Sequence, residues 1–164
     1  MNPCPCGYFT DPKKECRCTP HQIQRYLSKV SGPLLDRIDI HLEVPRLNYA
    51  ELSDRRKGEP SSRIKSRVIR TMALQKKRFR KKPSRILYNA FMDPADTEEH
   101  CVLSKEAGEI LKSAILELGI SARAYDKILK ISRTIADMDG SGTIGSHHIS
   151  EAIGYRCLDR SLWT

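Results

Sequence analysis

The chain has 164 residues, room for one domain or two small ones. Its 29 Lys+Arg against 20 Asp+Glu give a net charge of +9, which favours polyanionic partners such as nucleic acid or nucleotide phosphates, while 6% aromatic residues argue against a stacking platform for single-stranded bases. No apolar run approaches the roughly 18 residues of a membrane span and no apolar signal core opens the chain, so the expectation is a cytoplasmic protein with no membrane partner.

Residues 1–20 hold Cys4-Pro5-Cys6 and Cys16-Arg17-Cys18. Pro3, Pro5, Gly7, Pro12 and Pro20 exclude a long helix here. Two close pairs of thiols on a loop that folds back suit a tetrahedral Zn2+ site built from Cys4, Cys6, Cys16 and Cys18. The C-x-C spacing departs from the commoner C-x₂-C, so free or redox-active thiols and structural disulfides stay open beside zinc. Cys101 and Cys157 read as ordinary half-buried thiols. Residues 20–30 predict a short amphipathic helix, capped by Thr19 with Pro20 in its first turn. Ile23, Tyr26, Leu27 and Val30 form its apolar face, and Arg25 and Lys29 lie on the solvated side.

Ser31-Gly32-Pro33-Leu34-Leu35-Asp36-Arg37 reads as a turn with an apolar anchor and an arginine at its mouth. Ile38, Ile40, Leu42 and Val44 then alternate with Asp39, His41 and Glu43, which predicts a strand with one buried face. A plain surface salt bridge through Asp36 and Arg37 is the alternative use of that pair. Residues 47–60, punctuated by Gly58 and Pro60, read as a linker between a first part, 1–46, and a second, 61–160.

Ser61 or Ser62 opens a long basic helix with Ile64, Val68 and Met72 as its apolar stripe, continued by Leu74 and Phe79. Residues 63–82 carry ten positive side chains and no acidic one, a self-repelling run unless an anion neutralises it. Arg63, Arg67, Arg70, Lys76, Lys77 and Arg80 are the candidate nucleic-acid contacts, against the alternative of a solvated face. Leu87, Tyr88, Ala90, Phe91 and Met92 form an apolar patch that Asp93-Pro94 ends. Ser104 caps a helix that Gly119 stops, and Ser121 caps the next. Tyr125, Ile128, Leu129, Ile135 and Met138 mark the inward side of that helix; Arg123, Lys127, Lys130 and Thr134 share another. Arg123 lies in its first turn, where free backbone N–H groups also favour anions; a surface arginine is the alternative.

Asp137-Met138-Asp139-Gly140-Ser141-Gly142-Thr143-Ile144 imitates the start of an EF-hand loop, but His148 stands where the bidentate Glu belongs. It reads as a helix end and turn, with Ser146 capping a last helix over about 147–158. His147 and His148 are adjacent and predicted to diverge.

Three stretches resemble magnesium-chelatase-like AAA+ ATPases of the ComM/YifB group: Met1-Asn2-Pro3-Cys4-Pro5-Cys6-Gly7, Ser31 through Ile40, and Ser121-Ala122-Arg123-Ala124 through Arg133-Thr134-Ile135-Ala136-Asp137. They cover nearly the whole chain in order. The resemblance implies a mainly α chain: the C-terminal remnant of an α/β AAA+ base followed by a helical lid bundle. It further implies that Arg37 is an arginine finger, Asn2 a sensor-1 residue and Arg123 the sensor-2 arginine of the lid, with Arg133 second in line for that nucleotide contact. The cofactors so implied are ATP and Mg2+ in the complete protein, and the partners are further copies of itself in a ring, usually a hexamer, and DNA, through branch migration. No G-x-x-x-x-G-K-[ST] occurs in these residues, so this chain by itself is expected not to hydrolyse ATP. A stand-alone basic, zinc-stabilised DNA-binding module is the competing reading.

Overall fold

The computed structural model describes residues 1–44, 58–82 and 87–156, with the isolated positions 47, 49 and 53. Most of the expected linker, Cys157 and the tail from Asp159 to Thr164 lie outside the described residues. The described elements are helical: α1 (Pro20–Leu27), α2 (Gly32–Leu35), α3 (Ser61–Arg78), a 3₁₀ turn at Asn89–Phe91, α4 (Pro94–His100), α5 (Lys105–Leu118), α6 (Ala122–Met138) and α7 (Ser146–Gly154). No helix among the described residues is long and apolar enough to cross a membrane.

The bundle is made by α5, α6 and α7, with α3 and α4 laid against α6. Each of the first two helices starts as its sequence dictates. Ser104 Oγ accepts from the Ala107 amide and Ser121 Oγ from the Ala124 amide, satisfying donors that a helix start otherwise leaves unpaired. Gly119 closes α5 in the left-handed region at φ 61°, where a side chain is strained. The apolar stripes meet in one core of Leu111, Ile128, Leu129, Ile144 and Ile149, with Phe79 and Met92 brought in from the flanks. A single parallel bridge between Leu103 and Ile144 staples the entry of α5 to the entry of α7, with the Ile144 amide on Val102 O and the Ser104 amide on Ile144 O, both at 2.9 Å.

Several expectations change. No strand forms at 38–44 among the described residues. Ile38, Ile40, Leu42 and Val44 are 40, 47, 66 and 88% exposed, whereas His41 is only 4% exposed. Of the whole stretch only His41 is buried, with Asp39 and Glu43 exposed like the apolar residues: the His41 amide donates to Tyr155 O at 2.7 Å, tying the segment to the end of α7. A strand needs a neighbouring strand for its backbone, and none lies alongside among the described residues. On α3 the apolar stripe is buried only at its C-terminal end. Residues 61–70 are all exposed, Ile64 and Val68 included, while Thr71 and Gln75 are the helix's buried positions.

Asp93-Pro94 opens a helix rather than only ending a patch. Asp93 caps α4 in a reciprocal box with Asp96, and Pro94 takes the first helical position. Tyr125 and Met138 face outward on α6; the buried face instead includes Ser132, Arg133 and Asp137. The cap of α7 is Gly145, one residue before Ser146.

Candidate functional site

Arg37 leaves the α2 turn at the surface. Pro33 in the first turn of α2 and buried Leu35 set the turn. Asp36 then faces the cap of α6. Ser121 Oγ, which already accepts from the Ala124 amide, turns its O–H toward the Asp36 carboxylate at 3.3 and 3.4 Å, long for a hydroxyl donor. Shorter ties follow. Lys127 Nζ donates to Arg37 O and pairs with Asp39. Arg156 donates to Ile38 O, and its other terminal nitrogen lies 3.8 Å from Asp36. The turn that carries Arg37 is therefore fastened to the same end of α6 that carries Arg123, which is exposed in the first turn. Sequence spacing offered no hint of this junction, because the partners are 85 and more residues apart.

Arg133 is placed differently. It is 1% exposed, with Nε donating to Asp137 at 3.1 Å, Nη1 to Gly142 O at 2.8 Å and Nη2 to Ser141 O. Asp137 also receives Arg78 from α3 and the Asn89 amide nitrogen at 2.9 Å, while Arg78 reaches Asn89 Oδ1 at 2.7 Å. Burial works to raise the Asp137 carboxyl, but hydrogen bonds from Arg78 and Asn89 and the charges of Arg78 and Arg133 outweigh it and hold the carboxyl low. Arg133 holds the Asp137–Gly142 turn, and Arg78 on Asp137 locks α3 to α6. The segment that imitates an EF-hand is thus a helix end, with Gly140 at φ 72°.

Asn2 is exposed beside the cysteine loop, where its amide nitrogen lies 3.6 Å from the place a Cβ would take on Gly7. In that loop Cys4, Cys6, Cys16 and Cys18 converge. Cys4 is fully buried, and its Sγ lies 3.3 Å from Cys6 and 3.7 Å from Cys16, with Cys6 to Cys16 at 3.6 Å. All four sulfurs fall within 4.8 Å of one another and none is in a disulfide. Sulfurs about 2.3 Å from a central zinc stand about 3.8 Å apart at tetrahedral corners, so the cluster has the dimensions of such a site. Backbone amides point into it. The Tyr8 and Arg17 amides, with the neighbouring thiols, pull Cys6 down to about 6 against burial. At Cys16 the Cys18 amide lowers the thiol, but burial and the thiols of Cys6 and Cys4 push it up to about 12. Amides that stabilise a thiolate beside thiols that cannot all ionise together describe a donor set suited to a cation.

A second cluster, Asp139 with His147 and His148, also converges. Contrary to the expected divergence, the two rings stack at 3.8 Å and both Nε2 atoms approach Asp139 Oδ2, at 3.5 and 3.1 Å. The Gly145 amide donates to His148 Nδ1 at 2.8 Å. The proton of a neutral His148 then sits on Nε2, directed at Asp139, and leaves no lone pair for a metal.

Of the candidate nucleic-acid contacts, Arg63, Arg70, Lys76 and Lys77 are exposed along α3 and Arg80 in the turn just past its end. Arg67 is exposed too, but is held by Glu59 through two hydrogen bonds of 2.8 and 3.1 Å.

The mainly helical structure is consistent with the C-terminal helical lid of magnesium-chelatase-like proteins. Residues 58–156 match the family described as magnesium chelatase, subunit ChlI C-terminal, and residues 1–52 match magnesium chelatase, subunit ChlI; the chain belongs to this family. It is 39% identical over 163 residues, 99% of its length, to competence protein ComM of Haemophilus influenzae, covering 30% of that protein. It is likewise 39% identical over 163 residues to YifB of Salmonella typhimurium and of Escherichia coli, covering 31% of each. The chain thus spans a little under a third of the length of these relatives.

Proposed function

We propose that this region supplies the arginine finger and the helical lid of an ATP-driven ring motor that processes DNA. The supporting observation is the junction of Asp36, Arg37 and Asp39 with Ser121 and Lys127, which makes one unit of the turn bearing Arg37 and the helix start bearing Arg123. In this reading Arg37 reaches the nucleotide held by the neighbouring subunit, Arg123 acts on the subunit's own nucleotide, and Asn2 stands at the sensor-1 position. Arg133 has no part in nucleotide contact, since its guanidinium is used up inside the bundle. ATP and Mg2+ are bound by the complete protein, whose phosphate cradle lies outside these residues. The ring is a hexamer, the location is the cytoplasm, and the region divides into a base part through residue 46, a linker over 47–60 and a lid from residue 61.

DNA is the polymer handled, and the exposed cations of α3 are one contact to it. If about six of them meet phosphates, affinity falls by roughly 10³ between 50 and 200 mM salt. Zn2+ is the ion assigned to Cys4, Cys6, Cys16 and Cys18; it ties residues 4–18 into one loop and takes no part in turnover.

The deciding experiment uses the full-length protein. Arg37→Ala is expected to reduce ATP hydrolysis by about 10³-fold or more while ATP binding persists. Because the finger acts on a neighbour, mixing Arg37→Ala subunits with subunits disabled in their own phosphate site is expected to restore part of the turnover. Normal hydrolysis by Arg37→Ala, or no recovery on mixing, rejects the finger assignment.

A further inference from the structure

The cysteine loop and α1 enclose an open groove of about 570 Å³ that the ATPase reading does not use. Its walls include Arg17 from the loop, Gln22, Arg25 and Tyr26 from α1 and Lys29 from the turn just beyond it, and no acidic side chain lines it. Arg25 closes the last turn of α1, and Lys29 follows the Ser28 cap, so both cations stand at the same end of the groove. Both are exposed, as is Arg17. Tyr26 is half-buried between them, and Lys29 Nζ sits 5.4 Å from its ring centroid. Arg17 stands between Cys16 and Cys18, and its own amide hydrogen-bonds the Cys6 sulfur, so the cysteine cluster holds the backbone that carries this cation.

The chain has too few aromatic residues for an extended stacking platform, but one ring flanked by cations in an open channel suits a short stretch of single-stranded nucleic acid, with phosphates on the cations and one base against the ring. A duplex keeps its bases stacked inside and offers Tyr26 no face. An acidic peptide satisfies the cations but leaves the ring without a planar partner. We propose that this groove is a binding site for single-stranded nucleic acid, separate from the basic helix α3. It deepens the proposed DNA partner, and it rests on the metal reading only for the position of Arg17.

The test uses a fluorescein-labelled dT20 strand and the purified chain, with metal content measured on the same sample. Arg25→Glu with Lys29→Glu is expected to weaken dT20 binding at least tenfold and to flatten the salt dependence by about 1.4 in log–log slope, two phosphates' worth. Tyr26→Ala is expected to weaken it roughly 5- to 100-fold at unchanged salt slope. A strand carrying 4-thiothymidine is expected to cross-link within residues 17–29, a readout that does not depend on the variants folding. Unchanged dT20 affinity in both variants, cross-links confined to residues 61–82, or equal competition by a 20-bp duplex or by polyglutamate overturns the proposal. A chain that carries no metal yet loses dT20 binding on charge reversal upholds the groove and rejects the zinc reading. Failure of the Arg37 experiment above leaves every arm of this one readable.

Discussion

Asp137 is the residue on which the bundle's polar interior turns. It faces Arg78 and Arg133 with 2% of its side chain accessible, so its removal strands two guanidinium groups in a place water hardly reaches. Asp137→Ala is expected to cost about 3–5 kcal/mol, the range for breaking a buried ion pair from one side, read as a lower urea midpoint at unchanged slope. The carboxyl's low folded value also makes stability depend on pH. A group depressed on folding stabilises fully above its unfolded value, near pH 4, and that contribution is lost as pH falls through the lower folded value. The parent is therefore expected to lose stability more steeply than Asp137→Asn between pH 5 and pH 2, in urea titrations at each pH. At this same scale the resemblance left Arg133 second in line for the nucleotide, whereas the structure holds it 1% exposed inside the bundle. In the sequence only an acid four residues on, Asp137, hints at that inward pair.

Helix starts and stops were readable because they depend on neighbours in the chain. Thr19, Ser104, Ser121 and Gly119 all act where spacing placed them. The start of α4 was equally local and was missed: Asp93-Pro94 followed by Asp96 is a cap, a first-turn proline and a reciprocal acid, but it was taken for a break alone. Ser121 has two duties that separate experimentally. Ser121→Ala is expected to cost about 1 kcal/mol through loss of the cap. Lys127→Ala leaves the cap intact and removes the hold on Arg37 O and Asp39. It is expected to speed amide hydrogen exchange across residues 37–41 while α6 stays protected. Equal exchange at 37–41 in parent and Lys127→Ala rejects the junction as the element that positions the Arg37 turn.

At the scale of the molecule, two stretches of the described residues leave several apolar side chains uncovered together. One is the even-numbered side of 38–44; the other is the outer half of α3, where Ile64, Val68 and Ile69 are exposed. Uncovered apolar faces of this kind favour contact with another surface. The chain by itself is then expected to self-associate, and Ile40→Lys with Val44→Lys to shift it toward monomer in sedimentation velocity. The cysteine loop packs apart from the α5–α7 core, so if the proposed Zn2+ is bound there, stripping it with a chelator is expected to expose four reactive thiols while helical circular dichroism falls little. Loss of most helix signal on chelation rejects that independence.

Sequence alone determined α1, α3, α5, α6 and α7, most of their caps, the family and the gathering of four cysteines in one loop, because each is encoded by spacing within a few turns of chain or by motifs read in order. Which side of residues 38–44 is docked, where Arg133 points, and which cations are spent were decided only by the tertiary structure. Those outcomes depend on partners far off in the chain: Tyr155 for His41, Arg78 and Asn89 for the acid that holds Arg133, and the Arg37 turn for Lys127. A buried charge is stabilised only when its counter-charge and donors arrive together, and periodicity carries no record of what arrives from another helix.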